Sequence, residues 1–138
     1  MKTINLPPYA PTLMESTRAI GYSLEAAIAD VIDNSLAAGA SKIDIEFYPI
    51  GDEYIAVLDN GNGMKPDELT NAMQYGSKSP NELRDLNDLG RYGLGLKTAS
   101  LSQCRRLTVV SVCEGEVSGR RWDLDFVQQV GEWSLIIL

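Results

Sequence analysis

Three glycines and a lysine within eight residues constrain this chain more than any other stretch of its sequence. They form the pattern GxxGxGxK at Gly90, Gly93, Gly95 and Lys97, and the residues after it are compatible with a helix. Glycine lets the backbone adopt positive φ angles and approach a ligand closely, and the first turn of a helix offers unpaired N–H groups. This combination suits a phosphate chain, although the pattern alone also fits an ordinary glycine-rich turn.

Composition limits the classes of protein to consider. The chain has 138 residues, of which 44% are hydrophobic, enough for one core. Nineteen acidic residues against 12 basic ones give a net charge of −7, so we expect no direct nucleic-acid binding. The apolar runs are too short to cross a membrane. Two cysteines and no histidine argue against a zinc site or a cysteine nucleophile and fit a cytoplasmic, intracellular protein.

The hydrophobic pattern predicts four helices and five strands. Helices are predicted at residues 12–20, 23–38, 66–74 and 96–103, and strands at 43–48, 54–58, 107–113, 121–127 and 133–138. The polar segment 77–89 is predicted to be an exposed, mobile lid. The fold class is therefore an α/β (α+β) two-layer sandwich, with a mixed, largely antiparallel sheet covered by helices on one face. Because residues 133–138 are strongly apolar, we expect residues 1–138 to be a single domain and a fragment of a longer chain with a C-terminal effector domain.

Two polar residues lie beside the apolar face of the helix predicted at 23–38. Asp30 and Asn34 are four residues apart, so they lie one above the other at the edge of that face. A carboxylate and an amide beside a buried face are costly unless they have partners. The pair is therefore a candidate site, with hydrogen bonds to a neighbouring loop as the structural alternative.

A second acidic residue ends the strand predicted at 54–58. Asp59 is followed by Gly61, Gly63 and Met64. The end of a strand holds a carboxylate rigidly, and the two glycines allow a ligand to approach. A calcium-binding turn is the alternative, but the glycines occupy positions where such a loop needs oxygen ligands, and no glutamate closes it.

Along the chain the three motifs follow in the order Asp30–Asn34, Asp59–Gly63 and Gly90–Lys97. This ordered set resembles the GHKL ATPase superfamily, which includes DNA gyrase B subunits, heat-shock chaperones, histidine kinases and mismatch-repair ATPases. The resemblance covers residues 20–113 and implies a Bergerat-type ATP-binding fold. Residues 33–45 resemble mismatch-repair ATPases, whereas residues 90–97 resemble the related microrchidia ATPases. The choice between these two branches stays open.

The resemblance implies roles for the motif residues. Asn34 would hold Mg²⁺ beside the phosphates of ATP, and Asp59 would accept a hydrogen bond from the adenine amino group. The backbone at Gly61 and Gly63 would pass close to the base, with Met64 packed nearby. The phosphates would be bound by the glycine motif, and the residues implied there are Gly90, Tyr92, Gly93, Leu94, Gly95, Leu96 and Lys97.

Two positions depart from the pattern of the superfamily. Asp30 stands where most hydrolysing members have a glutamate as the general base, and Ala37 stands where relatives often have an aspartate. The shorter carboxylate indicates slow turnover. Counterparts of a later threonine-bearing strand and of a lysine from a following domain are not recognisable in the sequence.

The function implied is ATP binding with slow, magnesium-dependent ATP hydrolysis, coupled to conformational change or homodimerisation of a larger protein. Two alternatives stay open. One is the ATP-binding domain of a histidine kinase, which this histidine-free chain makes less favoured. The other is a nucleotide-sensing module that binds ATP without turning it over, which the substitution at Asp30 supports.

Overall fold

A computed structural model describes residues 1–19, 22–75 and 95–138, and these ranges contain five helices and five strands. The helices are α1 (Ala10–Arg18), α2 (Leu24–Ala37), α3 (Pro66–Met73), α4 (Gly95–Gln103) and α5 (Leu124–Val130). The strands are β1 (Ile43–Tyr48), β2 (Tyr54–Asp59), β3 (Arg106–Cys113), β4 (Glu116–Asp123) and β5 (Ile136–Ile137).

The strands form two antiparallel sheets in the described part of the chain. β1 and β2 make a hairpin in which Ile43 pairs with Asp59 and Tyr48 pairs with Tyr54. The second sheet has the order β3-β4-β5, and both of its pairings are antiparallel. The α+β class and the antiparallel character predicted from the sequence are therefore confirmed, although the described strands divide between two sheets.

The second sheet has one covered face and one open face. Along β3 and β4, Ser111 and Trp122 are buried, whereas Val110, Val112 and Val117 on the opposite face are more than half exposed. Successive side chains of a strand point to opposite faces, so this alternation places the helices on one side of the sheet.

The core lies between this covered face and helices α1, α3, α4 and α5. Leu69, Met73 and Val127 are completely buried there, and Trp122 donates a hydrogen bond from Nε1 to the Met73 carbonyl at 2.7 Å. Truncating Leu69 or Met73 to alanine would cost about 2 to 5 kcal/mol. The members of the core cluster are Ala10, Met14, Leu69, Met73, Leu101, Trp122, Leu124 and Val127.

Most of the predicted elements agree with the structure. Helix α2 begins after Ser23, whose Oγ accepts a hydrogen bond from the Ala26 N–H at 3.2 Å, as expected of an N-cap residue. The β1–β2 hairpin and the helices predicted at 66–74 and 96–103 also form, with boundaries that differ by one residue.

The strand predicted at 121–127 is correct for residues 121–123 and wrong for residues 124–127, which are helical. β4 runs earlier, from Glu116 to Asp123, and α5 begins immediately afterwards. The Asp123 carboxylate accepts hydrogen bonds from the N–H groups of Asp125 and Phe126, at 3.0 and 3.2 Å, and so caps the helix. The strand predicted at 133–138 is reduced to the two residues of β5, which pair with Arg120 and Arg121.

Candidate functional site

Helix α2 carries the first part of the site. Asp30 and Asn34 are both half-buried, one turn apart, and Ser35 beside them is 4% exposed. The Nδ2 atom of Asn34 is buried and has no hydrogen-bond partner within the described residues. A buried donor without a partner costs about 1 to 3 kcal/mol, so such a group calls for an explanation.

The Asn34 amide fits the Mg²⁺ role that the sequence suggests. Rotation of the amide by 180° exchanges its oxygen and nitrogen, so the same site can present an oxygen ligand. Mg²⁺ takes hard oxygen ligands and keeps several of its waters, and a single amide oxygen is therefore a sufficient protein contribution when phosphates supply others.

Asp30 is held by a tyrosine. The phenol of Tyr22 donates a hydrogen bond to Oδ2 of Asp30 at 2.6 Å, in the range of a short bond to a charged acceptor. Tyr22 precedes the N-cap of α2, and its own carbonyl accepts a hydrogen bond from Nε2 of Gln103 at 2.7 Å. The candidate base is therefore tied to the end of α4.

Asp59 lies at the end of β2, and both of its oxygens have partners. Oδ2 accepts from the Ser35 hydroxyl at 2.7 Å, and Oδ1 accepts from the Gly61 N–H at 2.9 Å. The residue itself is exposed. An ionised carboxylate has about four acceptor positions, so these two bonds fix its orientation and leave capacity for a ligand.

The loop after β2 is fixed against α2 and the turn that follows it. The Asn62 N–H donates to the Ala38 carbonyl at 2.9 Å, and Oδ1 of Asn60 accepts from the N–H groups of Ser41 and Lys42, both at 2.9 Å. At Gly61, an added Cβ would lie 2.8 Å from the Ala38 Cβ. The close approach of these two segments requires glycine.

Gly63 fits the loop against β3. Its φ angle is 71°, and an added Cβ would overlap the carbonyl oxygen of Val112. The next residue, Met64, donates its N–H to the Ser111 hydroxyl at 2.7 Å. The Met64 side chain packs against the core, and contact with a base stays a prediction.

Lys97 occupies an unexpected position for a phosphate ligand. It is 1% exposed, and its Nζ donates to the Ala72 carbonyl near the end of α3 at 2.8 Å. Burial lowers the pKa of this ammonium group to about 8. A direct contact between Lys97 and a phosphate would require exchange of the bond to Ala72. Leu96, the residue before it, packs against the core.

The remaining glycine-motif residues lie mostly outside the described ranges. Gly90, Tyr92, Gly93 and Leu94 belong to this group, as does the predicted lid at 77–89. Gly95 is the first residue of α4, in agreement with the prediction that the motif opens a helix. The phosphate-binding role of the motif stays a prediction.

Sequence reasoning missed four residues that support the site: Tyr22, Ser35, Asn60 and Ser111. Ser35 directly follows Asn34, and Asn60 directly follows Asp59. Their positions next to motif residues could have indicated a supporting role. Tyr22 and Ser111 had no comparable local signal. A separate cleft of about 530 Å³, between α1 and α5, contains none of the motif residues.

Within the described residues, no helix combines the length and the apolar character that crossing a membrane requires.

Residues 22–138 match the family model described as histidine kinase-, DNA gyrase B- and HSP90-like ATPase. That match contains Asp30, Asn34, Asp59 and the glycine motif.

The chain also resembles DNA mismatch repair proteins named MutL. It is 37% identical to MutL of Shewanella baltica (strain OS185) over 86 residues, which are 61% of this chain and 14% of that relative. MutL of Thermosipho africanus is 35% identical over 86 residues, 61% of this chain and 15% of that relative. The matched region thus spans about one seventh of the length of these relatives. The family model matches residues 22–138, which are most of this chain. The chain therefore belongs to the histidine kinase-, DNA gyrase B- and HSP90-like ATPase family.

Proposed function

We propose that this domain binds ATP with Mg²⁺ and hydrolyses it slowly, and that the bound nucleotide drives conformational change or homodimerisation of a larger protein. One observation carries the proposal. Ser35 fixes the Asp59 carboxylate at 2.7 Å, and its neighbour Asn34 presents a buried amide whose Nδ2 has no partner in the described residues. The side chain proposed to bind adenine, Asp59, is thus held by Ser35, the neighbour on α2 of the residue proposed to bind Mg²⁺.

Asp59 would select adenine over guanine. Adenine presents an amino donor to the carboxylate, whereas guanine presents a carbonyl oxygen at the equivalent position. Two acceptors facing each other leave a polar group unpaired, at a cost of about 1 to 3 kcal/mol. Because the Ser35 and Gly61 bonds fix the carboxylate, it has little freedom to turn away from guanine.

Asn34 would bring Mg²⁺ to the phosphates. When bound, Mg²⁺ neutralises phosphate charge during cleavage of the terminal phosphate bond. The residue lies one turn after Asp30 on the same helix, so the metal ligand and the candidate base share one rigid element.

Asp30 would act as the general base that takes a proton from the attacking water. Aspartate is shorter than glutamate by one methylene, about 1.5 Å. A misplacement of about 1 Å can reduce a rate roughly a hundredfold, so slow turnover is expected. The hydrogen bond from Tyr22 occupies Oδ2, and Oδ1 has no hydrogen bond within the described residues.

The proposal that this domain acts within a larger protein is supported by the length of the relatives. They are named DNA mismatch repair proteins, and the matched region is only 14 to 15% of their length. We propose that ATP binding here changes the association of two copies of the protein.

The short carboxylate at position 30 favours one alternative, a nucleotide-sensing module that binds ATP without turnover.

Phosphate release tests the hydrolytic part of the proposal. The intact protein should release phosphate from ATP only with Mg²⁺ and should bind GTP more weakly than ATP. The Asp30→Asn variant should lose turnover and keep ATP affinity, because an amide cannot accept the proton. ATP binding without turnover in the parent protein would favour the sensing module. Equal turnover in the variant would exclude Asp30 as the base.

A further inference from the structure

The phenol of Tyr22 contacts Asp30 directly and belongs to none of the recognised motifs. Its hydroxyl lies 2.6 Å from Oδ2 of Asp30, and both residues are half-buried. Hydrogen bonds between a hydroxyl and a carboxylate at this distance are short, charge-assisted and strongly directional. Tyr22 therefore restricts the rotation of the one side chain that the proposed reaction needs as a base.

Tyr22 is itself anchored at its backbone. Its carbonyl accepts a hydrogen bond from Nε2 of Gln103 at 2.7 Å. Gln103 is the last residue of α4, and α4 begins at Gly95 in the glycine motif. Helices α2 and α4 pack against each other. Tyr22 therefore links α2, which carries Asp30, to α4, which begins in the glycine motif.

The bond has a specific consequence for a short carboxylate. An aspartate has two side-chain torsions, and a hydrogen bond at Oδ2 fixes the outer one, which sets the direction of Oδ1. Within the described residues, Oδ1 accepts no hydrogen bond, so this oxygen is available to a water. Without the phenol, the outer torsion would vary over a wider range of angles, so an oxygen of the carboxylate would point in the reactive direction for less of the time.

We propose that Tyr22 is a positioning residue for ATP hydrolysis, holding Asp30 so that Oδ1 faces the attacking water. The inference rests on the proposed function, in which Asp30 is the general base. The phenol neither touches nucleotide nor gives up its proton in this account. Its contribution is the orientation of the carboxylate.

The chain offers a matched control for the phenol. The hydroxyl of Tyr54 also donates to a carboxylate, Oε1 of Glu46 at 2.8 Å, on the exposed β1–β2 hairpin. The Tyr54→Phe variant removes an equivalent bond away from α2. It should leave ATP affinity and turnover unchanged.

The experiment measures kcat, KM, ATP affinity by calorimetry and thermal stability of the intact protein and its variants. In Tyr22→Phe we expect kcat to fall about tenfold to a hundredfold, the scale of a misplaced reacting group, while ATP affinity stays within about twofold. In the Asp30→Asn background, Tyr22→Phe should have no further effect on kcat. Crystal structures with a non-hydrolysable ATP analogue should show one Asp30 rotamer in the parent and more than one in Tyr22→Phe.

Gln103→Leu is the second variant, and it decides the question if Tyr22→Phe fails to fold. It frees the Tyr22 backbone and keeps the phenol, so kcat should fall in the same direction with ATP affinity kept. Turnover that depends on Asp30 but is unchanged in both variants overturns the role of Tyr22 and leaves the proposed function standing. Turnover that is absent in the parent, or independent of Asp30, refutes the proposed hydrolysis and with it this inference.

Discussion

Replacing Gly63 by alanine tests whether the loop after β2 must lie against β3 for ATP to bind. The φ angle of Gly63 is 71°, and an added Cβ would overlap the Val112 carbonyl oxygen. Relieving the overlap moves the loop away from β3 and breaks the 2.7 Å bond between the Met64 N–H and the Ser111 hydroxyl. The substitution therefore combines three effects: a strained φ, overpacking and a lost hydrogen bond.

Gly51→Ala separates these effects. Gly51 has a similar φ of 79°, but an added Cβ meets no atom within 4 Å. Strain alone at Gly51 should cost about 1 kcal/mol. At Gly63, overpacking of about 1 to 3 kcal/mol and a hydrogen bond of about 1 kcal/mol are added, so we expect destabilisation of about 3 to 5 kcal/mol.

Chemical denaturation and ATP calorimetry measure both consequences. The Gly61 N–H of the same loop orients the Asp59 carboxylate. ATP affinity should therefore fall at least about tenfold in Gly63→Ala and stay unchanged in Gly51→Ala. Equal stability and equal ATP affinity in the two variants would refute the reasoning, because the contact with β3 would then have no role in either property.

Two further predictions concern the base-reading carboxylate and the buried lysine. Asp59→Asn should weaken ATP binding by about 1 to 3 kcal/mol, and Ser35→Ala should weaken it by about 1 kcal/mol. Both affinities are measured by calorimetry. If Asp59→Asn keeps its selectivity for adenine, the adenine ring binds elsewhere. Burial lowers the pKa of Lys97 from 10.5 to about 8, so the unfolded state binds more protons between these values. From pH 8 to pH 10.5 the free energy of unfolding should therefore rise by about 3 kcal/mol more in the parent than in Lys97→Met. The comparison with the variant is needed because the raised pKa values of Cys104 and Tyr75 lower stability with rising pH in both proteins. An equal change with pH in the two proteins would contradict this assignment.

Local signals in the sequence identified most of the helices and the hairpin. The apolar spacing of α2 and the N-cap at Ser23 are properties of neighbouring residues, and both are confirmed. The strand predicted at 121–127 extends past the end of β4 into α5. The Asp123 side chain caps α5 by accepting hydrogen bonds from the N–H groups of Asp125 and Phe126, and this boundary depends on side-chain geometry.

The motifs identified the candidate site residues but not their supports. Ser35 reaches Asp59 across 24 positions of the chain, and the bond from Met64 to Ser111 spans 47. Contacts between such distant positions depend on how the elements pack, which no local pattern encodes. Lys97 is a further example. Its positive charge suited a phosphate ligand, but in the folded protein its Nζ donates a hydrogen bond to the Ala72 carbonyl.

Calorimetric titration with ATP, with and without Mg²⁺, tests the central claim most directly. In the parent protein and in Asn71→Ala, a control at an exposed asparagine of α3, Mg²⁺ should strengthen ATP binding at least about tenfold. In Asn34→Ala, Mg²⁺ should have no effect on ATP affinity while the fold is kept, because the amide that holds the metal is absent. The account is contradicted if the parent binds no ATP in either condition, or if Asn34→Ala keeps the full effect of Mg²⁺.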